Sequence, residues 1–284
     1  MRLRKLFPLA LIMILSVSFV NSTDKGDDIL QQVFLRNKSI PKLSATMIMK
    51  ERIGKKYLDK RASFKVLSDP HKIYFKQEFP QPGPEVIYIE GKNDNKALVN
   101  PNAFPWISLK LDPTGNLMRL NSHHSIYKTG FSFFIDVLEH LYSKYKDEIS
   151  SMVTYGGLAD YSGVQCYKLV VNNPFFGYTT YKVQAGDNLE SLSRKFYVCD
   201  YMILEKNPEI KSFEGLKPGM NITIPLDYGK LFILYVDTKN YLPVGAKVYD
   251  DIGLFEDYNY INVVLDPPLT DMDFDSKNPA YKFR

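Results

Sequence analysis

Four histidines, two cysteines and a scatter of carboxylates are the side chains through which this 284-residue chain could do chemistry. His123 and His124 are adjacent, and on a strand neighbouring side chains point to opposite faces, a poor arrangement for sharing a metal ion. His71 and His140 complete the set. The chain holds neither a Gly-x-Ser-x-Gly elbow nor a His-Glu-x-x-His pair, and neither Cys166 nor Cys199 lies in a catalytic signature. The residues therefore argue for no catalytic group, no metal site and no cofactor. A pair of carboxylates able to hydrolyse a glycan would assemble only in three dimensions, so a glycan hydrolase stands as the alternative. Two cysteines are too few for a disulfide scaffold or a structural zinc site. An exported chain could bridge Cys166 to Cys199, or keep two buried thiols.

The elements that must position these groups read mainly as strands. Leu43, Ala45, Met47 and Met49 alternate with Ser44, Thr46, Ile48 and Lys50, and further short runs follow at Phe64–Val66, Ile73–Phe79, Val86–Glu90 and Ile107–Leu111. In the last run, Ile107, Leu109 and Leu111 are expected inward against Ser108 and Lys110. Turn residues separate the runs, as in Ser68-Asp69-Pro70 and Asp112-Pro113-Thr114-Gly115-Asn116, giving an antiparallel meander. Helices are expected over Asp27–Asn37 and Phe131–Tyr145, where apolar residues recur at helical spacing. Strands resume at Met152–Tyr155, Gln165–Val171, Leu231–Val236, Leu242–Val248 and Leu254–Leu265.

Composition places the chain among ordinary globular proteins, with 45% hydrophobic, 24% charged and 14% aromatic residues. Residues 1–22 read as a secretory signal peptide, because Arg2, Arg4 and Lys5 precede an apolar run from Leu6 to Val20, with cleavage expected after Ser22. The run is too short to span a bilayer, and the mature chain contains no apolar stretch long enough to do so. Cleavage lowers the net charge from +4 to +1, and no basic stripe remains, which makes nucleic acid a poor partner. The expected location is the periplasm or the exterior.

Residues 178–226 resemble a LysM module. The matching residues run from Tyr181-Lys182-Val183-Gln184-Ala185-Gly186-Asp187-Asn188-Leu189 through Leu192, Phe196 and Ile203. They continue with Asn207-Pro208-Glu209-Ile210 and end in Leu216-Lys217-Pro218-Gly219-Met220-Asn221-Ile222-Thr223-Ile224-Pro225. Local physics agrees with that family's βααβ order. Asp187 or Asn188 caps a helix with Glu190 placed for a capping box, Pro208 ends a second helix over Tyr201–Lys206, and Gly219 permits the turn into the last strand. The resemblance implies binding of N-acetylglucosamine glycans such as peptidoglycan, in a groove formed by Gly186, Asp187, Asn188 and Leu189 with Pro208, Glu209 and Ile210. This sequence departs from the family at Asn188, where Ser or Thr is usual, and in the rather long stretch Lys211–Gly215. The other reading of Asp187 and Asn188 is that they only cap a helix.

The flanking segments, residues 27–174 and 229–284, resemble one discontinuous domain of the DUF1571 family. The residues that carry this include Tyr235-Val236-Asp237, Val248-Tyr249-Asp250-Asp251-Ile252-Gly253-Leu254, Tyr258-Asn259-Tyr260-Ile261-Asn262-Val263 and Leu265-Asp266-Pro267-Pro268-Leu269. That family is similar to LolA/LolB-type periplasmic lipoprotein carriers. The expected fold is α+β: an incomplete antiparallel β barrel with helices, interrupted by the small βααβ module. Asn172-Asn173-Pro174 and Asp227-Tyr228-Gly229 would be short linkers that hold the module close.

The function expected from these readings is that of an exported, non-enzymatic envelope protein. Its LysM-like module would bind peptidoglycan, and its half barrel could hold lipid or lipoprotein acyl chains if the inward-facing aromatic residues leave the interior open. A filled interior would instead make the half barrel a scaffold for docking another protein.

Overall fold

The computed structural model describes residues 22–104 and 106–284; the signal-peptide reading thus lies outside the described residues except for Ser22. Helix α1 (Ser22–Asn37) leads into a meander of β1 (Lys42–Ile53), β2 (Lys56–Leu67), β3 (Lys72–Phe79), β4 (Glu85–Ile89), β5 (Ala97–Asn100) and β6 (Leu109–Leu111). Then come α2 (Asn116–Arg119), α3 (Ser132–Lys144), α4 (Ile149–Met152), β7 (Val153–Tyr161) and β8 (Val164–Asn172). A compact βααβ unit follows as β9 (Tyr178–Lys182), α5 (Leu189–Phe196), α6 (Asp200–Lys206) and β10 (Asn221–Pro225). The chain closes with β11 (Leu231–Asp237), β12 (Pro243–Tyr249) and β13 (Leu254–Leu265).

Eleven strands form one open sheet in the order β6-β5-β4-β3-β2-β1-β13-β12-β11-β8-β7, and β9 and β10 form a separate pair. The β1–β13 pairing, Leu43 opposite Leu265 through Glu51 opposite Glu256, joins the N-terminal meander to the C-terminal strands. Because β8 and β11 are antiparallel neighbours, the βααβ unit stands where a hairpin turn would otherwise be.

Period-two alternation decides which face each side chain takes. On β2, Ala62, Phe64 and Val66 are buried inward, while Arg61, Ser63 and Lys65 turn outward. The inward set joins Ile29, Leu30, Val33 and Phe34 of α1 and Ile135, Leu138 and Leu141 of α3 in one core. Cys199 and Met202, from the βααβ unit, belong to that same core. The inner face is therefore filled by helices from both parts of the chain. On the outer face the C-terminal tail packs Phe274 against Tyr74 and Ile87, and stacks Tyr281 on Tyr74 with ring centroids 3.9 Å apart.

Two expectations need correction. Ile107 is exposed and outside β6, which is only three residues long, so the inward set proposed there reduces to its partly buried ends, Leu109 and Leu111. The short linkers are tied to each other: buried Asn173 donates from Nδ2 to buried Asp227 Oδ2 at 3.0 Å, and Asp227 also accepts from Tyr145 at 2.8 Å and Lys144 at 2.6 Å. Finally, Cys166 and Cys199 are free thiols. Cys166 lies on β8 opposite Ala159 and Asp237, whereas Cys199 precedes α6 and donates to the His123 carbonyl at 3.5 Å, so each sits in different surroundings.

Candidate functional site

The βααβ unit has its own small core of Val183, Leu189, Leu192, Val198, Ile203, Ile210, Ile222 and Ile224. Helix α5 is amphipathic and begins at Asn188, whose side-chain oxygen accepts from Ser191 N at 2.8 Å while the Ser191 hydroxyl receives the Asn188 N–H at 2.9 Å. Ser191 thus completes the capping box expected of Glu190. Asp187 accepts from Tyr181 OH at 2.9 Å and from Gln184 N at 2.7 Å, which fixes the loop before the helix. Of the residues expected to line a glycan groove, Gly186, Asn188, Pro208 and Glu209 are exposed, Asp187 is half-buried, and Leu189 and Ile210 are core residues of the unit. Gly186 has φ +89°, a conformation that favours glycine and keeps that turn open.

Glu190, freed from capping, points at the large sheet. Its Oε2 accepts from Ser125 at 2.9 Å and lies 3.2 Å from Lys128 Nζ. Lys128 also donates to Ser193 Oγ at 2.8 Å. Arg119 reaches Asp200 at 2.5 Å and the His123 carbonyl at 2.8 Å, and its guanidinium lies 3.9 Å over the Phe213 ring. Arg52 pairs with Asp250 through both guanidinium nitrogens, and with Glu205 of α6 at 3.0 Å. The side chains of Arg119, Lys128 and Asp200 are at most 1% exposed. Unpaired charges in such a position would cost several kcal/mol each, so the two parts hold one another through paired buried charges.

A second group of charges lies just beneath. Glu256 on β13 presents Oε2 to His123 Nδ1 at 3.1 Å and to His124 Nε2 at 3.2 Å, and its Oε1 accepts from Tyr228 at 2.7 Å. His123 Nε2 faces the Arg52 carbonyl at 2.8 Å. A carbonyl and a carboxylate can only accept, so His123 satisfies both as an imidazolium. Burial alone would push its proton off, but Glu51 and Glu256 outweigh that and raise its pKa. The ring is held between Tyr201 of α6 and Phe255 of β13, with centroids 4.7 and 4.1 Å away. Glu51 pairs with Lys60 and accepts from Tyr258.

The same balance sets the acids. Burial would raise Glu256, but His124 and His123 hold it far below the usual carboxylate range. Burial likewise opposes Asp200, which Lys128 and Arg119 bring down to about 2. Burial pushes the Cys199 thiol well above its ordinary value.

His123 and His124 therefore converge on one carboxylate, contrary to the strand-based expectation. Residues 121–125 form a turn with Asn121 at φ +56°, so the alternation rule does not apply. Nothing in the sequence around Glu256 marks it as the partner of these histidines, since it lies 133 residues from His123 and 132 from His124. On the outer face lies a groove of about 220 Å³ lined by Ser44, Thr46, Ser63, Lys65, Tyr74 and Asn262. That is smaller than ordinary small-molecule sites, which run to about 300–1,000 Å³.

Among solved structures, similar chain paths occur in a DUF1329 family protein from Desulfovibrio piger, with 12% identity and a TM-score of 0.35 over 90% of this chain and 98% of that one. Lipoprotein LppX of Mycobacterium tuberculosis gives 12% identity and 0.41 over 86% and 98%. MucB in the Pseudomonas aeruginosa MucA/MucB complex gives 10% and 0.40 over 88% of this chain and 60% of that chain. No curated protein sequence matches. The sequence profile described as "protein of unknown function (DUF1571)" matches residues 40–183 and 225–283, passing over α5, α6 and most of β10. With most of the large sheet inside that match, the chain belongs to the DUF1571 family.

Proposed function

We propose that this is an exported cell-envelope protein that binds an N-acetylglucosamine glycan such as peptidoglycan through a LysM-like module, residues 178–226, and uses its large sheet as a rigid mount available for protein docking. The supporting observation is that the module buries one side against the sheet yet keeps Gly186, Asn188, Pro208 and Glu209 exposed on its loops. A rigid mount keeps those loops outward without an entropic cost of ordering at each binding event. Sedimentation with purified peptidoglycan tests the reading. The mature protein is expected in the pellet, and a Pro208→Ala, Glu209→Arg double variant in the supernatant; undiminished binding by that variant would overturn the assigned groove. Asp187 and Ile210 are poor choices for this purpose, because they support the loop and the module core.

Cys199 and Met202 lie in the core that an acyl chain would need, which weighs against lipid carriage in this arrangement. Native purification followed by solvent extraction is expected to yield no stoichiometric lipid. A stoichiometric acyl species would mean that the module leaves the sheet. For the hydrolase alternative, the buried carboxylates Glu51 and Glu256 are engaged by Lys60, His123 and His124 rather than offered to a substrate. Incubation with sacculi is accordingly expected to release no muropeptides.

A further inference from the structure

A ring nitrogen of His124, the Cys199 sulfur and a carboxylate oxygen of Asp200 all lie within 4.8 Å of one another. His124 comes from the 121–125 turn of the sheet unit, and the other two from the start of α6, so the three meet across the contact between the two parts. We propose that they form a binding site for one divalent transition-metal ion, Zn²⁺ in particular, which fastens the module to the sheet.

The donor set suits that ion: imidazole nitrogen, thiolate sulfur and carboxylate oxygen are its usual protein ligands, at bond lengths of about 2.0–2.3 Å. In a tetrahedral site such bonds place the ligand atoms roughly 3.3–3.8 Å apart, so side-chain adjustments of about 1 Å bring the three into range.

The second observation concerns the His124 ring. Its Nε2 is engaged by Glu256 at 3.2 Å and by Tyr228 at 3.0 Å, whereas Nδ1 is buried and has no hydrogen-bond partner among the described residues. An ionised carboxylate only accepts, so His124 Nε2–H donates to Glu256, and in the neutral ring the lone pair is then on Nδ1. A carboxylate behind the far nitrogen is how proteins orient a metal-bound imidazole and fix its tautomer. A buried acceptor that makes no hydrogen bond is costly, and coordination removes that cost.

Asp200 is kept ionised by Arg119 and Lys128, which use one lone pair on each oxygen and leave others for a metal. The charges on Arg119, Lys128 and His123 oppose a cation, but Asp200, Glu190, Glu256 and the Cys199 thiolate offset them. The balanced step is Cys199–SH + M²⁺ → Cys199–S–M⁺ + H⁺: the S–H bond breaks, the S–M bond forms with the thiolate electron pair, and the proton leaves to solvent. The remaining position would be taken by water.

Titration of the mature full-length protein with Co²⁺, followed by Zn²⁺, tests the site. One Co²⁺ per chain is expected, with a thiolate-to-metal charge-transfer band that Zn²⁺ removes and with net proton release. Cys199→Ser should abolish the band, Cys166→Ser should keep it, and Glu256→Gln should weaken Zn²⁺ binding about 10–100-fold in competition with a chromophoric chelator. Absence of stoichiometric binding by the wild type overturns the proposal outright, without reliance on any variant folding. A band that survives Cys199→Ser, or that disappears in Cys166→Ser, also overturns it.

Discussion

The large sheet is covered on both faces by segments distant in sequence, and the two covers use opposite chemistry. Outside, the C-terminal tail relies on ring stacking, Tyr281 on Tyr74, and on partly exposed pairs such as Lys65–Asp273 at 2.7 Å. Inside, the module relies on charges removed from water: Arg119 and Lys128 with Asp200, Lys128 with Glu190, and Arg52 with Glu205. Apolar covers tolerate small shifts, since dispersion and burial have little directional demand. Buried ion networks do not; each partner must be present and correctly placed, so they contribute to a unique seating more than to net stability. The tail thus acts as a cover, whereas the module is registered to one position.

The comparison can be broken most strongly at Asp200. Asp200→Ala takes from Arg119 its carboxylate and leaves Lys128 with Glu190 alone, and should cost about 3–5 kcal/mol in urea unfolding. Replacing Arg119, Lys128 and Asp200 together with Met, Met and Leu should cost clearly less, because no buried charge is orphaned in that trio; an equal or larger loss would show that the charges stabilise on balance.

Acidity is the next test. The depressed values of Glu256, Asp200 and Glu51 mean that their stabilisation is present above the unfolded carboxylate values of about 3.9–4.3 and is lost as pH falls through the folded ones. The raised value of His123 works the other way: its contribution is complete below about 6.5 and is lost as pH rises through its folded value. Denaturation midpoints measured from pH 2 to 9 should therefore peak between about pH 4.5 and 6.5. A profile that keeps rising above that window would contradict the imidazolium assigned to His123.

On the outer face the effects shrink. Tyr281→Ala should lose about 1–2 kcal/mol, from a half-buried ring and its stacking, with the inner face unaffected. Asp273→Asn should change stability by no more than about 1 kcal/mol, and less in high salt, as expected of a partly exposed pair. A salt-independent loss larger than that would erase the distinction between the covers.

Alternation made β1 and the outer strands legible in sequence, and helical spacing located α1 and α3, because each pattern reports a face that one element buries. The βααβ order was equally readable from its caps, Asn188 and Pro208, and from Gly219 at φ +86°. The short β5 and the full length of β2 carry weaker patterns: half of β2, from Lys56 to Arg61, faces solvent and reads as polar chain. The network beneath the module was not legible at all. Glu190 looked like a capping residue, Tyr228 like a linker residue, and His123–His124 like a strand pair. Each acquires its role from a partner distant in sequence, Ser125 and Lys128 for Glu190 and Glu256 of β13 for the other three, and no local periodicity encodes those contacts.

The pairing of β8 with β11 also bears on how the chain reaches this state. Its first contact, Asn172 opposite Leu231, closes a loop containing the whole module. Closing so long a flexible segment carries an entropic penalty that shorter closures avoid. The module's contacts are more local, and β9–β10 pairing from Lys182–Asn221 to Tyr178–Pro225 brings its two ends together. Once that pair has formed, β8 and β11 are separated only by the short stretches containing Asn173 and Asp227, and their mutual hydrogen bond completes the approach. The module is accordingly expected to order before the central strands meet, with its amides gaining protection first in pulse-labelled hydrogen exchange during refolding.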